Sequence, residues 1–231
     1  MNSKYLYWGI NLLSFIVPFL FSFYPSANFS KRWKFVLPAI FVSALFFLLW
    51  DILFTDLGVW GFNPDYVMGV SVLGLPLEEV AFFFCVPYAC LFTYFALDHL
   101  IEKDHLFPHQ ELISSVLIVL LLIVGMYNID TLYTGVAFLL TATFLAFGLL
   151  KLRMRFMGRF YLSFVLLLIP FFIVNGILTG FMTEEPVVWY NNRENLGIRL
   201  GTIPLEDVVY GMLMILLPIT IWKKLEERAE S

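Results

Sequence analysis

The chain is 231 residues long, 61% apolar and 19% aromatic, with only 14% of its residues charged, whereas an average soluble domain carries about 25% charged and about 45–50% apolar residues. This composition excludes an ordinary soluble protein and implies an integral membrane protein, and the length suits one bundle with no separate cofactor domain of roughly 100 residues. The net charge of −4 argues against nucleic acid as a partner, because a phosphate backbone needs a basic surface.

Apolar, nearly charge-free stretches of about 20 residues are long enough to cross the hydrocarbon as helices. Seven occur, at roughly residues 5–23, 35–54, 76–97, 112–127, 131–150, 160–180 and 203–222. The first follows a single basic residue, Lys4, and lacks a small-residue cleavage site, so it reads as a retained helix and not as a signal peptide. Lys31, Arg32, Lys34, Lys103, Lys151, Arg153, Arg155, Arg159, Lys223, Lys224 and Arg228 fall on one side of this arrangement; Lys4, Arg193 and Arg199 fall on the other. Short cytoplasmic loops retain Lys and Arg, so the expected placement is in a cell inner membrane, N-terminus outside and C-terminus cytoplasmic.

The last charge-free interval, residues 208–222, is too short to span alone. Extending it to residue 203 draws Glu206 and Asp207 into the boundary of the hydrocarbon, and the same reasoning places Asp51, Glu78 and Glu79 there. Carboxylates at that depth are costly, which makes them functional candidates.

Pro76-Leu77-Glu78-Glu79 recurs in the second half of the chain as Pro204-Leu205-Glu206-Asp207. Each copy follows a tryptophan, Trp60 or Trp189, and an earlier polar residue, Asp51 or Asn175. The expected architecture is therefore an all-α membrane bundle of about seven helices. It holds two parallel three-helix repeats, residues 1–110 and 129–231, joined by a connector span within 111–128 that resets the direction of the chain. Read alone, one Pro-Leu-Glu-acid copy is a well-made helix start, with proline at the first helical position and acids facing the helix dipole. Two equivalent copies, with Asp51 and Asn175 at similar depth, instead imply polar groups from four helices converging on one layer.

Other features carry less chemistry. Cys85 and Cys90 lie in one apolar run and read as core packing. His99, His105 and His109 lie in a polar loop with no trusted metal-ligand spacing, so no metal is expected. No phosphate-cradling glycine motif occurs, and no cofactor is expected. Trp8, Trp33, Trp50, Trp60, Trp189 and Trp222 read mostly as interfacial belt residues.

The twin Pro-Leu-Glu-[Glu/Asp] motifs, the Trp50-Asp51 pair and the stretch from Asn195 to Asp207 resemble the integral-membrane lycopene cyclases, which occur as two small subunits or as a fused single chain. This chain is similar to the fused form over nearly its whole length, with one asymmetry: Asn175 stands opposite Asp51. The resemblance implies a lipophilic C40 carotenoid substrate, a bilayer environment, scope for association with other enzymes of carotenoid synthesis, and redox-neutral closure of the linear ends of lycopene to β-ionone rings. Glu78, Glu79, Glu206 and Asp207 would then be the catalytic acids and bases. Glu78 and Glu206 are expected to carry most of the proton transfer, with Asp51, Asn175, Trp50, Trp60 and Trp189 binding or orienting the substrate. Three rivals fit less well. A retinal protein needs a lysine inside its last helix, a metal-dependent prenyltransferase needs basic partners for a diphosphate, and a transporter needs broken helices with polar residues at mid-depth.

Overall fold

In lipid a chain can satisfy its own N–H and C=O groups only within helices or closed barrels, and the apolar runs of this sequence take the helical solution. The computed structural model describes residues 3–25 and 28–230, and residues 1, 2, 26, 27 and 231 lie outside that description. Among the described residues are seven α-helices: α1 (Leu6–Phe21), α2 (Trp33–Asp56), α3 (Leu77–Leu100), α4 (Gln110–Tyr127), α5 (Leu132–Phe147), α6 (Met157–Leu178) and α7 (Leu205–Glu230). Six, with their short continuations, are long and apolar enough to cross a membrane; α1, at 16 residues, is shorter. The fold is the expected membrane bundle of two similar halves, with α1–α3 matched by α5–α7 and α4 between them.

The sequence pattern predicts no strands, whereas among the described residues the structure has six very short ones at one end of the bundle. They are β1 (Trp60–Phe62), β2 (Ser71–Val72), β3 (Leu75–Pro76), β4 (Val188–Tyr190), β5 (Arg199–Leu200) and β6 (Ile203–Pro204). β2–β3 and β5–β6 are antiparallel hairpins that feed directly into α3 and α7. This corrects the expectation for Pro76 and Pro204: both lie in strands, and the helices open at Leu77 and Leu205. The tight β2–β3 turn uses Gly74 at φ +89°, a backbone conformation that an L side chain resists.

At this end the two halves are related by one constant offset in sequence, the offset that carries Glu78 onto Glu206. Leu77 N–H donates to Val70 O at 2.9 Å, and the equivalent Leu205 N–H donates to Ile198 O at 3.0 Å. β1 and β4 then pair antiparallel, Trp60 with Tyr190, Gly61 with Trp189 and Phe62 with Val188. Because the same offset carries Gly61 onto Trp189, each faces its own counterpart, and an approximate twofold axis passes between them. Two further bonds respect that axis: Asn63 N–H to Val187 O and Asn191 N–H to Val59 O, both 2.9 Å. Deeper in the bundle α1 packs on α3 and α5 on α7, while α2 against α7 and α3 against α6 join the halves; α4 lies against α5.

At the axis the strands approach so closely that a Cβ added to Gly61 would lie 2.3 Å from Cζ2 and 2.6 Å from Cε2 of Trp189. Gly61→Ala is expected to destabilise the protein by about 1–3 kcal/mol, the usual range for overpacking. Adding Trp189→Ala should restore most of the loss, as read by thermal melting in detergent. Equal melting of Gly61→Ala and the parent would contradict this packing.

Candidate active site

Successive residues on a helix point about 100° apart, so the two acids of each Pro-Leu-Glu-acid motif cannot share a direction. The structure separates them cleanly. Glu78 and Glu206, the first acids, are fully buried and turn toward the loops that precede their hairpins. Glu78 Oε1 accepts a hydrogen bond from Met68 N–H at 2.8 Å. Glu206 Oε1 accepts from Leu196 N–H at 2.7 Å and from the Thr134 hydroxyl at 2.6 Å. Met68 and Leu196 are themselves equivalent positions in the two repeats. These carboxyls clamp the loop before each hairpin, and neither is among the residues that line the central chamber.

The second acids, Glu79 and Asp207, do line that chamber, together with Asp51 and Asn175. Each is gripped by a tyrosine from the first helix of its own repeat. The Tyr7 hydroxyl on α1 donates to Glu79 Oε2, and the Tyr133 hydroxyl on α5 donates to Asp207 Oδ1 at 2.6 Å. Asp51 Oδ1 accepts from Trp60 Nε1, while its Oδ2 has no hydrogen-bond partner. The chamber is small, about 70 Å³, and its walls include Trp60, Tyr133, Tyr190 and Tyr210. The Trp60 and Tyr133 rings meet edge to face at 5.0 Å, and Tyr133 stacks on Tyr190 at 6.0 Å.

The repeats differ where chemistry would need them to differ. Tyr190 on β4 gives Asp207 a second phenolic donor, its hydroxyl meeting Oδ2 at 2.9 Å, whereas the equivalent position in the first repeat is Phe62. Burial, reinforced by the neighbouring Asp207, pushes the Tyr190 phenol well above its ordinary value, so it stays a donor. The first repeat instead has the second carboxyl, Asp51, where the other has the amide Asn175.

Of the five expected orienting residues, Asp51, Trp60 and Asn175 line the chamber, and two others do not. Trp50 is buried beside it, packing edge to face on Tyr210 at 5.0 Å. Trp189 lies over Gly61 and is half exposed. Trp50, Trp60 and Trp222 are interior residues and not belt residues. Tyr7, Tyr133, Tyr190 and Tyr210 were not singled out from the sequence; the available signal was a hydroxyl-bearing residue recurring near the start of the first helix of each repeat. At the opposite end, Asp98 pairs with the buried Arg159 at 3.1 Å. Among the described residues no three His, Cys, Asp or Glu side chains converge as metal ligands.

The clamp assigned to the first acids separates two substitutions. Glu78→Gln and Glu206→Gln keep an acceptor oxygen and should melt close to the parent. Glu78→Ala and Glu206→Ala leave buried donors unpaired and should cost about 1–3 kcal/mol each, the more at Glu206, which serves two donors. Thermal melting of the detergent-solubilised protein reads this directly, and Ala variants as stable as the Gln variants would contradict the clamp.

The family model described as lycopene cyclase matches residues 4–97 and 130–225, one segment in each half and each containing one acidic motif. No curated protein and no solved structure matches the chain. The two matched segments cover well over half of the sequence and leave out mainly the polar loop and α4: the chain belongs to the lycopene cyclase family, and is thus a membrane-embedded carotenoid cyclase.

Proposed function

We propose that this enzyme closes the linear ends of lycopene into β-ionone rings, giving γ-carotene and then β-carotene. The observation that carries the reading is the meeting of Glu79, Asp51 and Asp207 in one aromatic-walled chamber inside an apolar bundle. Ring closure of this kind begins when a proton adds to the terminal double bond; a neighbouring double bond then attacks the cation, and a proton leaves the ring. One proton enters and one departs, with no electrons gained or lost, so an acid, a base and a dry shaped cavity are sufficient parts.

The two repeats divide these roles by their hydrogen bonds. Asp207 receives O–H donors on both oxygens, from Tyr133 and Tyr190. An ionised carboxylate offers only acceptors, so Asp207 is set up as the base that takes the ring proton. Glu79 receives one phenolic donor, and Asp51 keeps Oδ2 unpartnered. Two carboxyls facing one small space favour sharing a proton over both being ionised, and this pair supplies the acid. The faces of Trp60, Tyr133 and Tyr210 offset the transient positive charge on carbon. Glu78 and Glu206 hold the surrounding loops.

Glu79→Gln and Asp207→Asn are each expected to lower cyclisation by about 10²–10⁴-fold, the usual cost of losing general acid or base assistance. Glu78→Gln and Glu206→Gln should retain most activity. Expression in cells that make lycopene, followed by pigment chromatography, measures both sets. Near-parental ring formation by Glu79→Gln and Asp207→Asn would refute the assignment, and unchanged lycopene with the parent chain would refute the reaction.

We also propose that the hairpin end and the N-terminus face outward and the C-terminus the cytoplasm, on the asymmetry of basic residues. Reporter fusions at the two ends test this; a C-terminal reporter active only on the outer side would reverse it.

A further inference from the structure

The chamber among the acids, at about 70 Å³, holds a few waters by volume and cannot admit a C40 chain. A second cavity of about 290 Å³ adjoins it, walled by α1, α3, α6 and α7 and mainly apolar, with Ser14, Thr93 and Asn175 as its polar lining. The two share Phe82, Phe171, Asn175, Gly211 and Met214, so one wall separates them. On α3 the acid chamber begins at Glu79 and the apolar cleft reaches Thr93; at 1.5 Å rise per residue the combined space is about 21 Å long.

The repeat explains why the cleft lies here. In the first half Phe83 on α3 stacks on Phe47 of α2, with ring centres 6.2 Å apart and planes 12° from parallel. The equivalents are Gly211 on α7, aligned through Glu79 and Asp207, and Phe171 on α6, aligned through Asp51 and Asn175. Here the ring remains but its partner is a glycine: a Cβ on Gly211 would touch Phe171 at 3.5 Å, and the phenyl group that fills the first half is absent. The second half therefore has open volume at the position that the first half fills.

We propose that this cleft, opened by Gly211, holds the extended polyene chain of the substrate while its terminus lies among Glu79, Asp51 and Asp207. The inference rests on the cyclase reading above for the identity of its occupant. The terminus passes the shared wall by displacement of Phe171, Phe82 and the flexible Met214. Because this cleft meets the chamber across one wall, it holds one end of the molecule at a time.

Binding and turnover are to be measured separately. Gly211→Phe rebuilds the filled arrangement of the first half, and Ala89→Phe blocks the cleft away from the acids; Leu37→Phe, in a separate apolar groove between α1, α2 and α3, is the control. Purified variants are incubated with lycopene in detergent, and the retained carotenoid is read by absorption, with folding checked by circular dichroism. Gly211→Phe and Ala89→Phe should each retain at least about tenfold less carotenoid than Leu37→Phe or the parent. Retention equal to the parent by either folded variant overturns the proposal.

On the unmodified protein, a linear carotenoid carrying a photoreactive diazirine at mid-chain should, on photolysis, label peptides of α3 and α6 that line the cleft and leave the α2 peptide of the control groove unlabelled. Labelling of the control groove without the cleft also overturns it, and this measurement decides the matter if both Phe variants fail to fold. A parent chain that retains lycopene, with the cleft labelled, yet forms no ring would sink the reaction and leave the cleft standing. One that forms rings while the blocked variants do so equally well would do the reverse.

Discussion

Of the five carboxyl groups buried among the described residues, three face one chamber inside the apolar bundle, and the structure is organised around supplying them with donors. An unpaired polar group in a membrane interior is costly, so each acid is met by a specific partner: Tyr7 for Glu79, Tyr133 and Tyr190 for Asp207, Trp60 for Asp51. The tyrosines of α1 and α5 tie the first helix of each repeat to the last, and Trp60 ties β1 back to α2. The partners also form the aromatic wall of the chamber, so the residues that make the acids tolerable are the ones a carbocation would face.

The outer end of each repeat serves the same purpose by another route. A carboxyl that points away from the chamber, Glu78 or Glu206, anchors the backbone of the preceding loop, and the hairpin that follows delivers the chain into the helix. The neighbouring acid is then aimed inward by the helical turn alone. Adjacent acids thus split into one that holds the loop and one that faces the chamber, each needing the other: without the clamp the helix start has no fixed rotation, and without the inward acid the clamp orients nothing.

Much of this was legible in the sequence. Charge-free lengths located the helices to within a few residues, except that α7 runs on past 222 to Glu230, and the doubled Pro-Leu-Glu-acid motif exposed the repeat and the layer where polar groups gather. The direction of each acid was not legible, because it depends on where α3 and α7 begin. Proline before an acidic turn suggests the first helical position, whereas two-residue strands, too short to leave a periodic pattern, carry Pro76 and Pro204. Trp50 and Trp222 were misplaced for a related reason: a tryptophan near a span end looks the same whether it meets headgroups or, as with Trp222 against Phe29 and Tyr94, closes the interior.

The pairing of Gly61 with Trp189 bears on the origin of the doubled chain. A residue on a twofold axis meets its own copy, so in a homodimer of identical halves either two glycines or two tryptophans would face each other across β1 and β4. Even a Cβ at Gly61 would lie 2.3 Å from the Trp189 ring, so two indoles cannot share this crossing, and two glycines would leave the junction without a side chain to cover it. Only halves free to mutate independently, whether joined in one chain or encoded as distinct subunits, can place a large ring on one side and none on the other. Departure from symmetry at the axis is thus a gain that duplication makes available and that exact symmetry forbids.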